Sequence, residues 1–275
     1  MNAVPDIVLS NGETIPQLGF GVFLVRPADT VAAVTAALQA GYRHIDTAQM
    51  YGNEPEVGEG VRASGKRAEV MVTTKIQPSL LSARDVDRSV KESLAHLRLD
   101  HIDLLLIHWP NPRVALAETL GAMAKLKQAG LVRALGVSNF TVALLDEANK
   151  VSPEPLVCNQ IEMHPFLDQS KVVAACKRLG MAVVAYSPIA RGGAQEDAVL
   201  GRIGKTHGKS AAQVSLRFLV QQGIVVIPRT SKVERLEENI ALFDFTLSDA
   251  EMAEIGKLGH RGDRIVDWTW SPKWD

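Results

Sequence analysis

Val70-Met71-Val72-Thr73-Thr74-Lys75 and Ile102-Asp103-Leu104-Leu105-Leu106-Ile107-His108 are two apolar runs that each end in an ionisable residue. A third run, Tyr42-Arg43-His44-Ile45, leads to Asp46 and then to Tyr51. Such runs read as strands buried on both faces of a parallel sheet. Three successive strands ending in Asp/Tyr, Lys and His place titratable groups at the C-terminal ends of the strands. An α/β barrel holds its active site there.

The same alternation extends along the chain. Ile7-Val8-Leu9 and Thr14-Ile15-Pro16 flank Ser10-Asn11-Gly12-Glu13, and Asn-Gly is a strong hairpin turn signal. Strands are expected at 18–20, 43–45, 70–74, 102–107, 134–137, 156–161, 182–185 and 224–227. Helical periodicity lies between them, at 28–39, 55–63, 83–97, 114–128, 141–150, 169–179, 197–206, 212–221 and 232–242. Gly41, Gly65, Gly130 and Gly180 stand where helices should stop. Ser82 with Asp85, and Ser248 with Glu251, have the spacing of a capping box. Eight strand–helix units predict a (β/α)8 TIM barrel with an N-terminal β-hairpin, formed by 1–275 as a single domain. The tail after Leu258 reads as loop and contains Trp268, Trp270 and Trp274.

Bulk properties narrow the function. The 275 residues are 46% hydrophobic and 22% charged, which allows a large core and argues against disorder. A net charge of −1 gives no case for nucleic-acid or membrane binding, so a charged ligand must be held by a local cluster. Cys158 and Cys176 have no metal-ligand spacing and read as buried filler in a reducing setting. The first residues lack the pattern of a secretory signal, and no stretch is long enough to span a membrane. A soluble cytoplasmic protein is the expectation. No Gly-x-Gly-x-x-Gly opens a helix after a strand, and no Gly-rich loop ends in Lys-Ser/Thr.

Taken singly, an Asp after a strand is a common helix cap and a lone His a common surface residue. Their shared position carries the functional reading. A phenol has a pKa of about 10 and is a weak acid at neutral pH. Lys75 is the nearby cation expected to lower it, and Asp46 the partner that fixes Lys75. His108 can hydrogen-bond a substrate oxygen. Together these groups can protonate an oxygen that becomes an alcohol. No side chain supplies hydride, so a nicotinamide or flavin is implied. Ser138, Asn139 and Gln160 offer hydrogen bonds for a carboxamide, and Tyr186, followed by Ser187, offers a flat face. Arg229, Thr230, Ser231, Lys232 and Arg235 gather cations and hydroxyls about a helix start, which reads as an anion site.

These residues resemble the aldo-keto reductase family. The likeness runs through Gly41-Tyr42-Arg43-His44-Ile45-Asp46-Thr47-Ala48, Tyr51, Asn53-Glu54 and Gly58, then Thr73-Thr74-Lys75 and His108-Trp109-Pro110. It continues in Gly136-Val137-Ser138-Asn139-Phe140, Asn159-Gln160-Ile161-Glu162, Tyr186-Ser187-Pro188 and 229–239. Within the family the chain resembles above all the bacterial 2,5-diketo-D-gluconate reductases. The resemblance implies reduction of aldehydes or ketones with NADPH, by a barrel acting as a monomer. Tyr51 is then the general acid, with Lys75 and Asp46 tuning it and His108 orienting the carbonyl. The nicotinamide is expected on Tyr186, its amide near Ser138, Asn139 and Gln160. The 2′-phosphate is expected near Arg229, Thr230, Lys232 and Arg235, and the adenine near Glu238 and Asn239. Many members have Lys where this chain has Arg229, which replaces a point charge by a fork.

The substrate pocket is expected to be lined by Phe23, Met50, Trp109, Asn111, Trp268 and Trp270. The loop after Trp109 and the tail are short, which favours small polar carbonyls over bulky ones. The competing reading is an NADPH-binding regulatory barrel with little turnover. A hydrolase lacks support, because no carboxylate pair or metal cluster stands at the strand ends.

Overall fold

The structure, a computed structural model, describes residues 4–230 and 234–275. The predicted hairpin is present: β1 (Asp6–Val8) and β2 (Thr14–Pro16) pair antiparallel, with Ile7 opposite Ile15. The next eight strands are β3 (Phe20–Gly21), β4 (His44–Asp46), β5 (Met71–Ile76), β6 (Ile102–Ile107), β7 (Val132–Ser138), β8 (Leu156–Glu162), β9 (Ala182–Tyr186) and β10 (Val225–Val226). They form one parallel sheet in chain order. Its edges meet. Leu18 pairs with Val226, the Gly19 N–H donates to Val226 O at 2.9 Å, and the Val226 N–H donates to Gln17 O at 3.0 Å.

Period-two alternation sorts the strand residues into two layers. Leu104, Leu106, Ala134, Cys158, Val184 and Val225 pack together on the inner face of the curled sheet. Their neighbours Leu105, Ile107, Leu135, Val183 and Ala185 pack outward with apolar residues of the helices. Continuing the inner register toward the C-terminal ends gives Asp46, Lys75, His108, Ser138, Gln160, Glu162 and Tyr186. The alternation that builds the core therefore also aims these polar side chains inward at one end.

Helices connect the strands near the expected bounds. Gly41, at φ 111°, closes the helix Pro27–Ala40 in a left-handed conformation that an L side chain rarely adopts. Ser248 and Glu251 form a full capping box. The helix they open, Asp249–Gly256, falls in a stretch where only its start had been read. Ser82 and Asp85 bond each other, but the shorter acid does not complete the box. The helix expected at 232–242 spans Glu234–Ile240, and the start of that expectation lies outside the described residues. The tail expected as loop begins with a 3-10 turn, Lys257–Arg261. Among the described residues, no helix is long and apolar enough to cross a membrane.

Candidate active site

Lys75 is fully buried rather than solvated at the strand end. Its ammonium donates to Asp46 Oδ1 at 2.5 Å, to Thr47 O at 2.8 Å and to the Tyr51 hydroxyl at 3.4 Å. The second Asp46 oxygen accepts from Gln160 Nε2 at 2.7 Å. Burial pulls the Lys75 pKa below its ordinary value, against the pull of Asp46.

Tyr51 ends a short 3-10 turn, Gln49–Tyr51, that follows β4. Gln49 fixes this turn. It donates to Ser89 O at 3.2 Å and Ser93 Oγ at 3.1 Å, and accepts from the Gln77 N–H at 3.0 Å. The expectation that Lys75 lowers the phenol's pKa is overturned. Burial, with a further push from the Asp46 anion, raises it well above 10. The ammonium is closer to Asp46 than to Tyr51, so its field at the phenol is largely cancelled. The resting site thus holds a fully protonated phenol.

His108 is buried, its ring 5.6 Å from that of Tyr51 in an edge arrangement. Burial, then the Lys75 charge, pushes its pKa well below 6.5, so the imidazole is neutral at physiological pH. His108 Nδ1 is buried without a hydrogen-bond partner among the described residues. A buried acceptor is less costly to leave bare than a buried N–H, so the proton belongs on Nε2.

The neighbouring strand ends form a linked polar set. Ser138 Oγ donates to Gln160 O at 2.8 Å. Asn139 donates from Nδ2 to His108 O at 2.9 Å and to Ser138 Oγ at 3.0 Å. The Tyr186 hydroxyl donates to Asn139 Oδ1 at 2.8 Å, which fixes its half-buried ring. Asn139 and Ser187 hold left-handed backbone at φ 63° and 51°. Non-glycine residues there are strained, and such strain concentrates at functional sites.

The expected anion site is only partly within the described residues. Arg229 and Arg235 are exposed and Thr230 is buried, while Ser231 and Lys232 lie outside the described residues. Glu238 accepts a 2.5 Å bond from Ser210, and Asn239 is buried against the Tyr42 hydroxyl.

The expected pocket residues lie in the loops after the strands and in the tail that packs on Trp109. The Phe23 ring lies 5.0 Å from that of Tyr51. Trp109 is buried and meets Trp270 at 5.1 Å and Trp274 at 6.1 Å. Trp268 stacks on Trp270, and both are exposed, as are Phe23 and Met50. Asn111 differs. It donates to Pro78 O at 2.8 Å and accepts from the Arg113 N–H at 3.0 Å, which makes it a loop brace. Trp274 and Glu162 had not been assigned to the site from sequence. Trp274 was masked by its place at the chain end, and Glu162 by the inner-face register, which becomes visible only in the sheet. No group of three or more His, Cys, Asp and Glu is placed to hold a metal ion among the described residues.

A family model described as the aldo/keto reductase family matches residues 18–260. The chain belongs to the aldo-keto reductase family, and so is an oxidoreductase of that class. It is 42% identical over 269 residues to a morphine 6-dehydrogenase of Pseudomonas putida, covering 92% of this chain and 91% of that one. It is 39% identical over 265 residues to the methylglyoxal reductase DkgB of Escherichia coli O157:H7, covering 95% and 99%. Among solved structures it matches one provisionally titled a 2,5-diketo-D-gluconic acid reductase B, at TM-score 0.94 and 46% identity over 97% and 96% of the chains. The eight-stranded curled sheet thus has the architecture of these relatives.

Proposed function

We propose that this protein reduces small aldehydes and ketones to alcohols with NADPH, and that Tyr51 donates the proton. We read its sheet as a closed (β/α)8 barrel making one domain. The observation that carries the proposal is the convergence of the Tyr51 hydroxyl, the Lys75 ammonium and the His108 ring at one buried point.

The chain's own groups divide the work. His108 Nε2–H orients the carbonyl oxygen toward the Tyr51 hydroxyl. Tyr51 is neutral at rest, and its proton moves as charge develops on that oxygen. Lys75 and its bonds to Asp46 and Thr47 form a preorganised dipole that steadies the phenolate left behind.

The residues present fit a nicotinamide. A pinned aromatic face, Tyr186, stands beside a carboxamide-sized set of Ser138, Asn139 and Gln160. Bound there, the cofactor supplies the hydride. Arg229, Thr230, Lys232 and Arg235 would take its 2′-phosphate.

Methylglyoxal, 2,5-diketo-D-gluconate and a morphine-type alcohol are the probes that the relatives' names suggest. Consumption of NADPH with the first two, lost in Tyr51→Phe, is the expected result. Tight NADPH binding with no turnover of any carbonyl would instead leave a binding barrel.

A further inference from the structure

The C-terminal tail is held in part by one buried carboxylate at the end of a strand. Glu162, the last residue of β8, is completely buried. Its Oε1 accepts from the Ile265 N–H at 2.6 Å, and its Oε2 from the Val266 N–H at 2.7 Å. His164, also fully buried, sits 3.0 Å from Oε1, and Gln169 holds the Glu162 carbonyl at 2.8 Å. Both carboxylate oxygens are thus used on the backbone of a segment 103 and 104 residues away in sequence. In the sheet, Glu162 pairs with Tyr186, the proposed nicotinamide platform.

Beyond Val266 the tail carries three aromatic residues that cluster with Trp109, the residue after His108. Trp270 and Trp274 pack on Trp109, and Trp268 stacks on Trp270. Arg264 lies 3.8 Å over Trp274. The far end is fixed separately, where Asp275 accepts from the Val142 N–H at 2.9 Å. Among the described residues, no regular strand or helix follows Lys257–Arg261, so the tail depends on such point anchors.

We propose that Glu162 is a positioning residue for substrate selection. Its carboxylate anchors the tail that sets Trp268 and Trp270 against Trp109. It therefore decides how well the site takes a carbonyl with a large apolar body, and matters little for a small one. This rests on the carbonyl-reductase reading above. An amide cannot replace the acid here. Glutamine accepts at one oxygen and turns an N–H₂ toward a backbone N–H, leaving a buried donor unpaired.

The chain has four tryptophans, and all four belong to this cluster. Intrinsic tryptophan emission therefore reads tail docking, independently of catalysis. Two full-length variants test the idea. Glu162→Gln alters the acceptor, and Val266→Pro removes one donor from the tail without touching the barrel strand. Both should shift emission to longer wavelength with unchanged far-ultraviolet circular dichroism. Both should lower kcat/KM for 2-naphthaldehyde by about tenfold, mainly through KM, as expected for one lost charged hydrogen bond. Methylglyoxal turnover should stay near wild type. Wild-type emission in both variants, or an equal loss on both aldehydes, overturns the proposal. A wild type with no carbonyl turnover would defeat the proposed function instead, while the emission spectra still decide whether Glu162 docks the tail.

Discussion

Gln160 on β8 donates from Nε2 to Asp46 Oδ2 on β4 at 2.7 Å, across the interior of the sheet. The residue expected to hold a carboxamide is also the second clamp on the buried carboxylate that holds Lys75. The expected cradle and the proposed proton-donating site therefore share one hydrogen-bonded network.

Gln160→Leu should disturb both. It leaves one oxygen of a buried carboxylate without its partner, which costs about 1–3 kcal/mol of stability. Catalysis should fall as well, because Lys75 shifts with Asp46. Urea melts and steady-state kinetics measure the two effects. A variant that weakens only cofactor binding, at full stability, shows the clamp to be unimportant.

Tyr51→Phe should separate chemistry from folding. The phenol's hydroxyl has a long 3.4 Å contact with Lys75, so its removal should change stability little. Loss of a general acid costs about 10²–10⁴ in rate. Fluorescence titration should give unchanged cofactor affinity. Near-normal kcat with aldehydes removes Tyr51 from the proposed role.

Lys75→Met leaves Asp46 charged and buried with only Gln160 as a partner. Breaking a buried pair on one side costs about 3–5 kcal/mol. Adding Asp46→Asn to the same chain should recover much of that loss, because no lone charge then remains. Denaturant midpoints of the two variants make the comparison. Equal midpoints contradict the coupling.

Much of this was legible in the sequence because strand alternation fixes two things at once. Val72 and Ile76 build the outer core while Lys75 points inward, so one pattern located both the sheet and the site. The protonation state of Tyr51 was not legible. It depends first on burial of the phenol and then on the nearby Asp46 anion, which stands closer to Lys75 than Tyr51 does; neither is encoded in spacing. The tail's path was hidden for a similar reason. Trp268, Trp270 and Trp274 have no periodicity, and their placement is set by Glu162 and Trp109, more than a hundred residues earlier.

His44 makes stability depend on pH. It is fully buried on the inner face, with Nε2 2.9 Å from Thr73 Oγ1. Burial lowers its pKa from 6.5 to about 4. Between those values the unfolded chain binds a proton that the folded chain does not. Stability is therefore fully present above pH 6.5 and falls as pH drops toward 4, by about 3 kcal/mol for this group. His44→Gln should show a flatter decline over that window in urea melts. Parallel curves for variant and wild type exclude the effect.

Arg235 tests the choice of dinucleotide. It lies in the first turn of the helix Glu234–Ile240 and is exposed, as is Arg229. If its guanidinium meets the 2′-phosphate, Arg235→Ala loses a charged hydrogen bond worth about 1.5–3 kcal/mol. Solvent screening places an exposed group toward the lower end, or about tenfold in Kd. NADH lacks that phosphate, so its affinity should hardly move. The NADPH loss should also shrink as salt rises, since the contact is an exposed ion pair. Fluorescence titration with both dinucleotides at two ionic strengths measures all of this, and an equal loss for NADH and NADPH places the phosphate elsewhere.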